Sequence, residues 1–120
     1  FWELNGPSAP AFDPAMSTSH GLPVWTNHLA FFARDRDDLE ARKQHWLACG
    51  HDVAEIDHGF CVSVYTTDPN GTMVEWCVDT RPLDDTDRAH AEALLVDPSP
   101  ALEDPPEPAF FLAAEHAATV

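Results

Sequence analysis

The fold is decided by residues 60–78, FCVSVYTTDPNGTMVEWCV. Two runs rich in β-branched and aromatic residues, 60–66 and 72–78, are typical of strands. They flank the turn DPNG at 68–71, and Asn-Gly between two such runs is a strong hairpin signal. The stretch therefore predicts two antiparallel strands joined by a tight turn.

Upstream of this hairpin, three further elements are predicted. Residues 24–32, VWTNHLAFF, are mostly apolar and indicate a strand. Residues 35–48 begin with several acids, which favour the start of a helix, and Gly50 is a natural stop after them. Residues 51–56 are a short strand candidate. The order is strand, helix, strand, strand, strand, so an α+β module of βαβββ type is predicted over residues 24–80.

The two flanks differ from this module. Residues 1–23 are predicted to hold a strand end at 1–4 followed by a connector rich in Pro, Ser and Ala. The chain begins with Phe rather than Met, which favours a fragment, a processed product or a partial chain. Residues 81–120 are predicted to form a helix over 84–95 and then a tail. That tail is rich in Pro and acids over 97–108 and apolar after it.

The helix over 84–95 needs a residue to cap its first turn. Asp85 and Thr86 are both residues that cap helices well, and either one is expected to fill this position.

Composition limits the class of partner. The 120 residues are 44% apolar, enough for one small domain. The chain has 21 Asp and Glu against 6 Lys and Arg, and its formal charge of −15 argues against nucleic acid or an anionic membrane as a partner. Three cysteines without a CxxC spacing predict a reducing, cytoplasmic compartment, and no run approaches the length of a membrane span.

Two ionisable residues interrupt strands that are otherwise apolar. His28 lies in the first strand and Glu75 in the last one. A buried carboxylate needs a proton, a partner or a metal, and one His with one carboxylate is two thirds of a 2-His-1-carboxylate iron site. Taken alone, His28 also fits a satisfied core or edge histidine, and Glu75 an outward-facing strand residue. The pair together predicts a divalent metal site.

Two further side chains are candidates for catalysis. Tyr65 lies on the strand before the hairpin and could donate a hydrogen bond to a ligand oxygen, or simply be a core or rim aromatic. His58 lies in a predicted turn and could reach over a site as an acid or base, or be a solvated turn residue. No Gly-rich phosphate loop, Gly-x-Ser-x-Gly elbow or Cys/His zinc array accompanies them.

Two of these stretches resemble one family. NHLAF at 27–31 and SVYTTDPNGTMVE at 63–75 are similar to the vicinal oxygen chelate superfamily of glyoxalases, bleomycin resistance proteins and extradiol dioxygenases. The resemblance implies two paired βαβββ modules that form a curved mixed sheet around a metal. It implies that His28 and Glu75 are ligands of this metal, and that Tyr65 is the tyrosine found ten residues before the glutamate in ring-cleaving dioxygenases.

The function that this resemblance favours is extradiol ring cleavage of a small aromatic diol with Fe(II), in which Tyr65 steadies oxygen and His58 acts as an acid–base group. The alternatives are a glyoxalase-type lyase or isomerase using Ni, Zn or Mn, and a non-enzymatic module that binds a drug-like molecule. One module supplies only two ligands. The others are expected from an upstream module ending at Glu3 or from a second copy in a homodimer, unless no complete site forms.

Overall fold

A computed structural model describes residues 12–101 and 104–117, apart from the side chains of residues 116 and 117. The strand end predicted at 1–4, including Glu3, lies outside the described residues. A 3-10 helix, five strands and three α-helices follow one another along the described residues. They are the 3-10 helix Thr18–His20, β1 (His28–Phe32), α1 (Arg36–Ala48), β2 (Val53–Asp57), β3 (Cys61–Thr67), β4 (Met73–Asp79), α2 (Asp85–Val96), β5 (Ala109–Phe111) and α3 (Ala113–Ala117).

The five strands form one mixed sheet in the order β1-β4-β3-β2-β5. β1 runs parallel to β4, and every other neighbouring pair is antiparallel. The predicted α+β class and βαβββ order are therefore confirmed. The parallel pair carries the most consequence for function because it brings the first strand of the module beside the last one.

The DPNG turn holds the β3–β4 hairpin in register. The Asp68 carboxylate accepts hydrogen bonds from the backbone N–H groups of Asn70 and Thr72 at 2.9 Å each. Gly71 has a φ of 82°, a left-handed conformation that glycine adopts without steric cost. The hairpin register places Tyr65 directly opposite Glu75.

Two predicted details are wrong, and one strand was not predicted. The first strand begins at His28 rather than residue 24, because residues 24–27 form turns and bends that end at Asn27, whose N–H donates to the Ser17 hydroxyl. The cap of α2 is Asp84, not Asp85 or Thr86; its carboxylate accepts from two N–H groups of the first turn. The C-terminal tail contains the strand β5, which pairs with β2 and was not predicted.

Helix α1 covers one face of the sheet, and the core lies between them. Its buried residues are Leu39, Lys43 and Leu47. They face β2, β3 and β4, whose buried valines complete the apolar cluster. Burial of such side chains is worth about 1.5–3 kcal/mol each. This packing leaves the opposite face of the sheet without a helix of the module across it.

Helix α2 contributes nothing to that core, since none of its residues is buried. It is fixed at its start by the Asp84 cap and by Arg81, whose guanidinium donates to both carboxylate oxygens of Asp87 at 2.6 and 2.8 Å. Within the described residues, no helix has the length and apolar character needed to cross a membrane.

Candidate metal and ligand site

The candidate site lies on the sheet face opposite α1. Because side chains alternate along a strand, residues paired across strands point to the same face. Ala30 and Tyr65 are both paired with Glu75, and Cys77 with Ser63. This face therefore carries every polar side chain that the sequence singled out in the strands.

His28 and Glu75 meet across the parallel pair. His28 Nε2 lies 2.8 Å from Glu75 Oε2, although 47 residues separate the two in sequence. The Glu75 side chain is 11% exposed and the His28 side chain 31%. The carboxylate therefore lies inside the fold, and the imidazole lies between it and solvent.

The other ring nitrogen of His28 also faces a hydrogen-bond acceptor. Nδ1 lies 3.1 Å from the backbone carbonyl of Trp25, and only a protonated nitrogen can donate to a carbonyl. A neutral imidazole has one N–H, so it donates either to this carbonyl or to the Glu75 carboxylate. The first tautomer leaves the Nε2 lone pair beside the carboxylate, where the two atoms can bind a cation together. A carbonyl that orients a histidine in this way is typical of metal ligands.

Tyr65 and His58 form a second polar pair beside the first. His58 Nε2 lies 3.0 Å from the Tyr65 hydroxyl, and the Tyr65 and His28 rings meet edge to face with centroids 6.1 Å apart. Burial raises the pKa of Tyr65 to about 12, and the negative charge of Glu75 acts in the same direction. Tyr65 is therefore a neutral phenol at physiological pH and remains a hydrogen-bond donor.

His28 and Tyr65 line an apolar cavity of about 550 Å³. That volume is in the range of small-molecule sites. His28 and Tyr65 supply its polar atoms, and its other walls come from the N-terminal turn, two strands and the C-terminal tail. The lining residues are Val24, Trp25, His28, Ile56, Tyr65, Met73, Pro108 and Phe110.

The structure thus brings all four predicted residues, His28, Glu75, Tyr65 and His58, into one region. Sequence reasoning missed Trp25 and Phe110 as cavity walls. Trp25 was assigned to a strand, although it lies in a turn. The one sequence signal for β5 was the two-residue spacing of Pro108 and Phe110 at the end of the Pro-rich arm. An alternating pattern over three residues is too short to predict a strand.

Three small polar side chains lie on the same face beyond Tyr65. The Ser63 hydroxyl is fully buried and has no hydrogen-bond partner among the residues that the structure describes. Cys61 and Cys77 are free thiols beside it. The pKa of Cys77 is raised mainly by burial and further by the negative charge of nearby carboxylates. Burial likewise raises the pKa of Cys61. Thiols held protonated are poor nucleophiles and poor metal ligands, so this group does not extend the site.

The donor set fits a divalent metal in kind but is incomplete in number. An imidazole nitrogen and a carboxylate suit Fe, Ni, Zn and Mn. Among residues 12–101 and 104–117, no group of three or more His, Cys, Asp or Glu side chains is placed to hold a metal ion. The described residues thus contain two of the donors that a metal centre of this kind needs.

Comparison with known proteins gives no match to a protein-family model, to a curated protein or to a solved structure. The resemblance to the vicinal oxygen chelate superfamily therefore stays a prediction.

Proposed function

We propose that this chain carries half of a divalent metal centre in an enzyme that acts on a small aromatic ligand, with ring cleavage of a vicinal diol as the leading reaction. The observation that carries the proposal is the 2.8 Å contact between Glu75 and His28, a residue that lines an apolar cavity. His28 Nδ1 lies 3.1 Å from the Trp25 carbonyl, an arrangement that suits the tautomer in which Nε2 binds a metal.

The chain's own residues would divide the work. His28 and Glu75 hold the metal, which supplies Lewis acidity and, with Fe(II), access to oxygen chemistry. Tyr65 stays protonated and donates a hydrogen bond to a ligand oxygen. His58, 3.0 Å from the Tyr65 hydroxyl, would serve as the acid–base group.

The missing donors are proposed to come from a second module, either another copy of this chain in a homodimer or a segment outside the described residues. A second histidine from that module would complete the 2-His-1-carboxylate set that favours Fe(II). Two symmetric copies would instead supply two His and two Glu, the set expected for a glyoxalase-type lyase or isomerase using Ni, Zn or Mn.

A binding module without catalysis is the second candidate. It is favoured by the cavity itself, because the walls are apolar apart from His28 and Tyr65 and the described residues offer only two metal donors. Such a module would sequester an aromatic or drug-like molecule, and the His28–Glu75 contact would then be a structural hydrogen bond.

Anaerobic reconstitution separates these functions. Protein is loaded with Fe(II), Ni, Zn or Mn, bound metal is measured by elemental analysis, and the Fe(II) form is offered O₂ with a panel of catechols. We expect ring-cleaved product and one metal per site, with both lost in His28→Ala and Glu75→Ala. His20→Ala, an exposed histidine in the 3-10 helix, is the matched control and should keep both.

The outcomes are distinct. Metal uptake without ring cleavage, but with isomerase or lyase activity in the Ni or Zn form, would support the glyoxalase-type reaction. Ligand binding that survives both EDTA and His28→Ala would support the binding module and overturn the enzyme.

The compartment that we propose is the reducing cytoplasm. Cys49, Cys61 and Cys77 are all free thiols, which such a compartment maintains. The formal charge of −15 supports the absence of nucleic-acid and membrane partners.

A further inference from the structure

We propose that the cavity selects uncharged aromatic ligands and discriminates against close analogues that carry a carboxylate or an ammonium group on the side chain of the ring. This inference deepens the proposed function. It rests on that function only where the ligand is taken to be the substrate of an enzyme. The argument follows from where the charged side chains of the whole chain lie.

No Lys or Arg side chain lines the cavity. Lys and Arg number six in the full sequence, and all six lie in or beside α1 or α2. Five of them are paired with carboxylates, and the sixth is exposed on the first turn of α1. The pairs are Arg34 and Arg42 with Asp38, Lys43 with Glu40 and Glu55, Arg81 with Asp87, and Arg88 with Asp85; the sixth is Arg36.

The cations of α1 are also on the wrong face. The Arg42 guanidinium lies over the Trp76 ring and the Lys43 ammonium over the Phe111 ring, each 4.3 Å from the ring centroid. Trp76 and Phe111 are the strand neighbours of Glu75 and Phe110, so their side chains point away from the cavity. An anionic group on a ligand would thus enter the cavity of the metal-free chain without a Lys or Arg as counter-charge.

No carboxylate among the described residues is free to receive a cation there either. The lining residues include no Asp or Glu, and the nearby Glu75 is engaged by His28. A charged group taken from water into an apolar wall without a partner loses its hydration and gains nothing in return. Ligands with an apolar substituent instead gain the contacts of Trp25, Ile56, Met73 and Phe110.

The test uses the metal-free full chain and three phenols of similar size: 4-propylphenol, 3-(4-hydroxyphenyl)propanoate and 4-hydroxyphenethylamine. Dissociation constants are measured by calorimetry at neutral pH. We expect the propylphenol to bind at least tenfold more tightly than either charged analogue. Equal or tighter binding of a charged analogue would overturn the inference, and so would failure of all three to bind.

A charge-insertion variant tests the cause. Met73→Lys keeps the length of a wall side chain and adds a cation, so it should tighten propanoate binding at least tenfold, while Met73→Leu should leave the preference unchanged. Trp25→Lys is the second variant, since Trp25 is 64% exposed and its replacement spares the core. Unchanged propanoate affinity in both folded lysine variants would overturn the inference.

This experiment separates the inference from the proposed function, because it needs neither metal nor turnover. A preference for the neutral phenol in a protein that takes up no metal would leave the inference standing and remove the enzyme. Ring cleavage of a carboxylated catechol in preference to a neutral one would support the enzyme and overturn the inference.

Discussion

At the scale of single residues, His28 decides what the site can hold. Its two ring nitrogens contact a carbonyl and a carboxylate, both of them hydrogen-bond acceptors. A neutral imidazole has one donor and one acceptor, so it satisfies only one of these neighbours. The contact with Glu75 is therefore either a hydrogen bond that Nε2–H donates or, when Nδ1 donates to the carbonyl, a pair of atoms that can bind a cation together.

Tyr65 offers a spectroscopic prediction, since it is the one tyrosine in the chain. Its pKa is raised to about 12 by burial and by Glu75, against an ordinary value of about 10. Alkaline titration of metal-free protein, followed by tyrosinate absorbance, should have its midpoint near this raised value. The same titration in denaturant should return to the ordinary value, and equal midpoints in the two states would contradict the burial argument.

The sign of the linked stability change follows from this shift. The folded state holds the phenolic proton more tightly than the unfolded state, so Tyr65 contributes stability that is fully present below a pH of about 10. That contribution is lost as the pH rises through about 12. Tyr65→Phe should lessen the loss over this window, as measured by urea unfolding at a series of pH values.

The sequence predicted the polar residues of the site better than its walls. His28 and Glu75 could be predicted because an ionisable residue in an apolar strand needs an explanation, and the strand pattern reports its surroundings locally. Trp25 and Phe110 could not, because they reach the cavity through a turn and a tail whose positions depend on distant contacts.

At the scale of elements, the β3–β4 hairpin shows what a glycine contributes. Gly71 and Gly59 both have a φ of 82°, but an added Cβ at Gly71 would lie 3.2 Å from the Ala15 Cβ, whereas Gly59 has open space. Gly59→Ala should lower the free energy of unfolding by about 1 kcal/mol through backbone strain. Gly71→Ala should cost roughly 1 kcal/mol more through overpacking. Urea unfolding gives both values, and equal losses would contradict a tight contact with Ala15.

Lys43 joins α1 to the sheet through a buried charge. Burial alone would lower its pKa, but hydrogen bonds to Glu40 and Glu55 more than offset this and the pKa is raised. Lys43→Ala should destabilise the fold by about 2 kcal/mol, less than a fully buried pair because Glu55 is partly exposed. Glu40→Ala removes only an exposed helix partner and should cost under about 0.5 kcal/mol. Similar losses of unfolding free energy in the two variants would show that the Lys43–Glu55 ion pair does not stabilise the packing of α1 on the sheet.

The elements with a strong local pattern were predicted and those without one were not. The hairpin, α1 and β2 followed from turn chemistry and periodicity within a few residues of their bounds. β5 spans three residues and is stabilised by contacts made far along the chain, namely pairing with β2 and the Phe111 ring on Lys43. A propensity argument has too little sequence there to detect it.

At the scale of the whole molecule, the incomplete donor set predicts how metal binding depends on protein concentration. If a second copy supplies the missing donors, dimerisation and metal binding are linked, and the apparent metal affinity should rise over about a hundredfold increase in protein concentration. Zn titrations at both ends of that range, with sedimentation velocity in EDTA and in Zn, measure this linkage. An affinity and a mass that stay constant would contradict a metal site shared between two copies of the chain.

The parallel pairing of β1 with β4 also affects the order in which the chain is expected to fold. Antiparallel β3 and β4 close a short turn, whereas β1 must cross a helix and two strands before it meets β4. Contacts so distant along the chain carry a large loop-closure entropy and are slow to form. We therefore expect the two halves of the candidate site to come together late in folding, and the amides of β1 to exchange before those of the hairpin do. A metal or ligand would bind only chains in which the pairing of β1 with β4 is complete. It would therefore stabilise fully folded chains over those in which this last pairing has not formed.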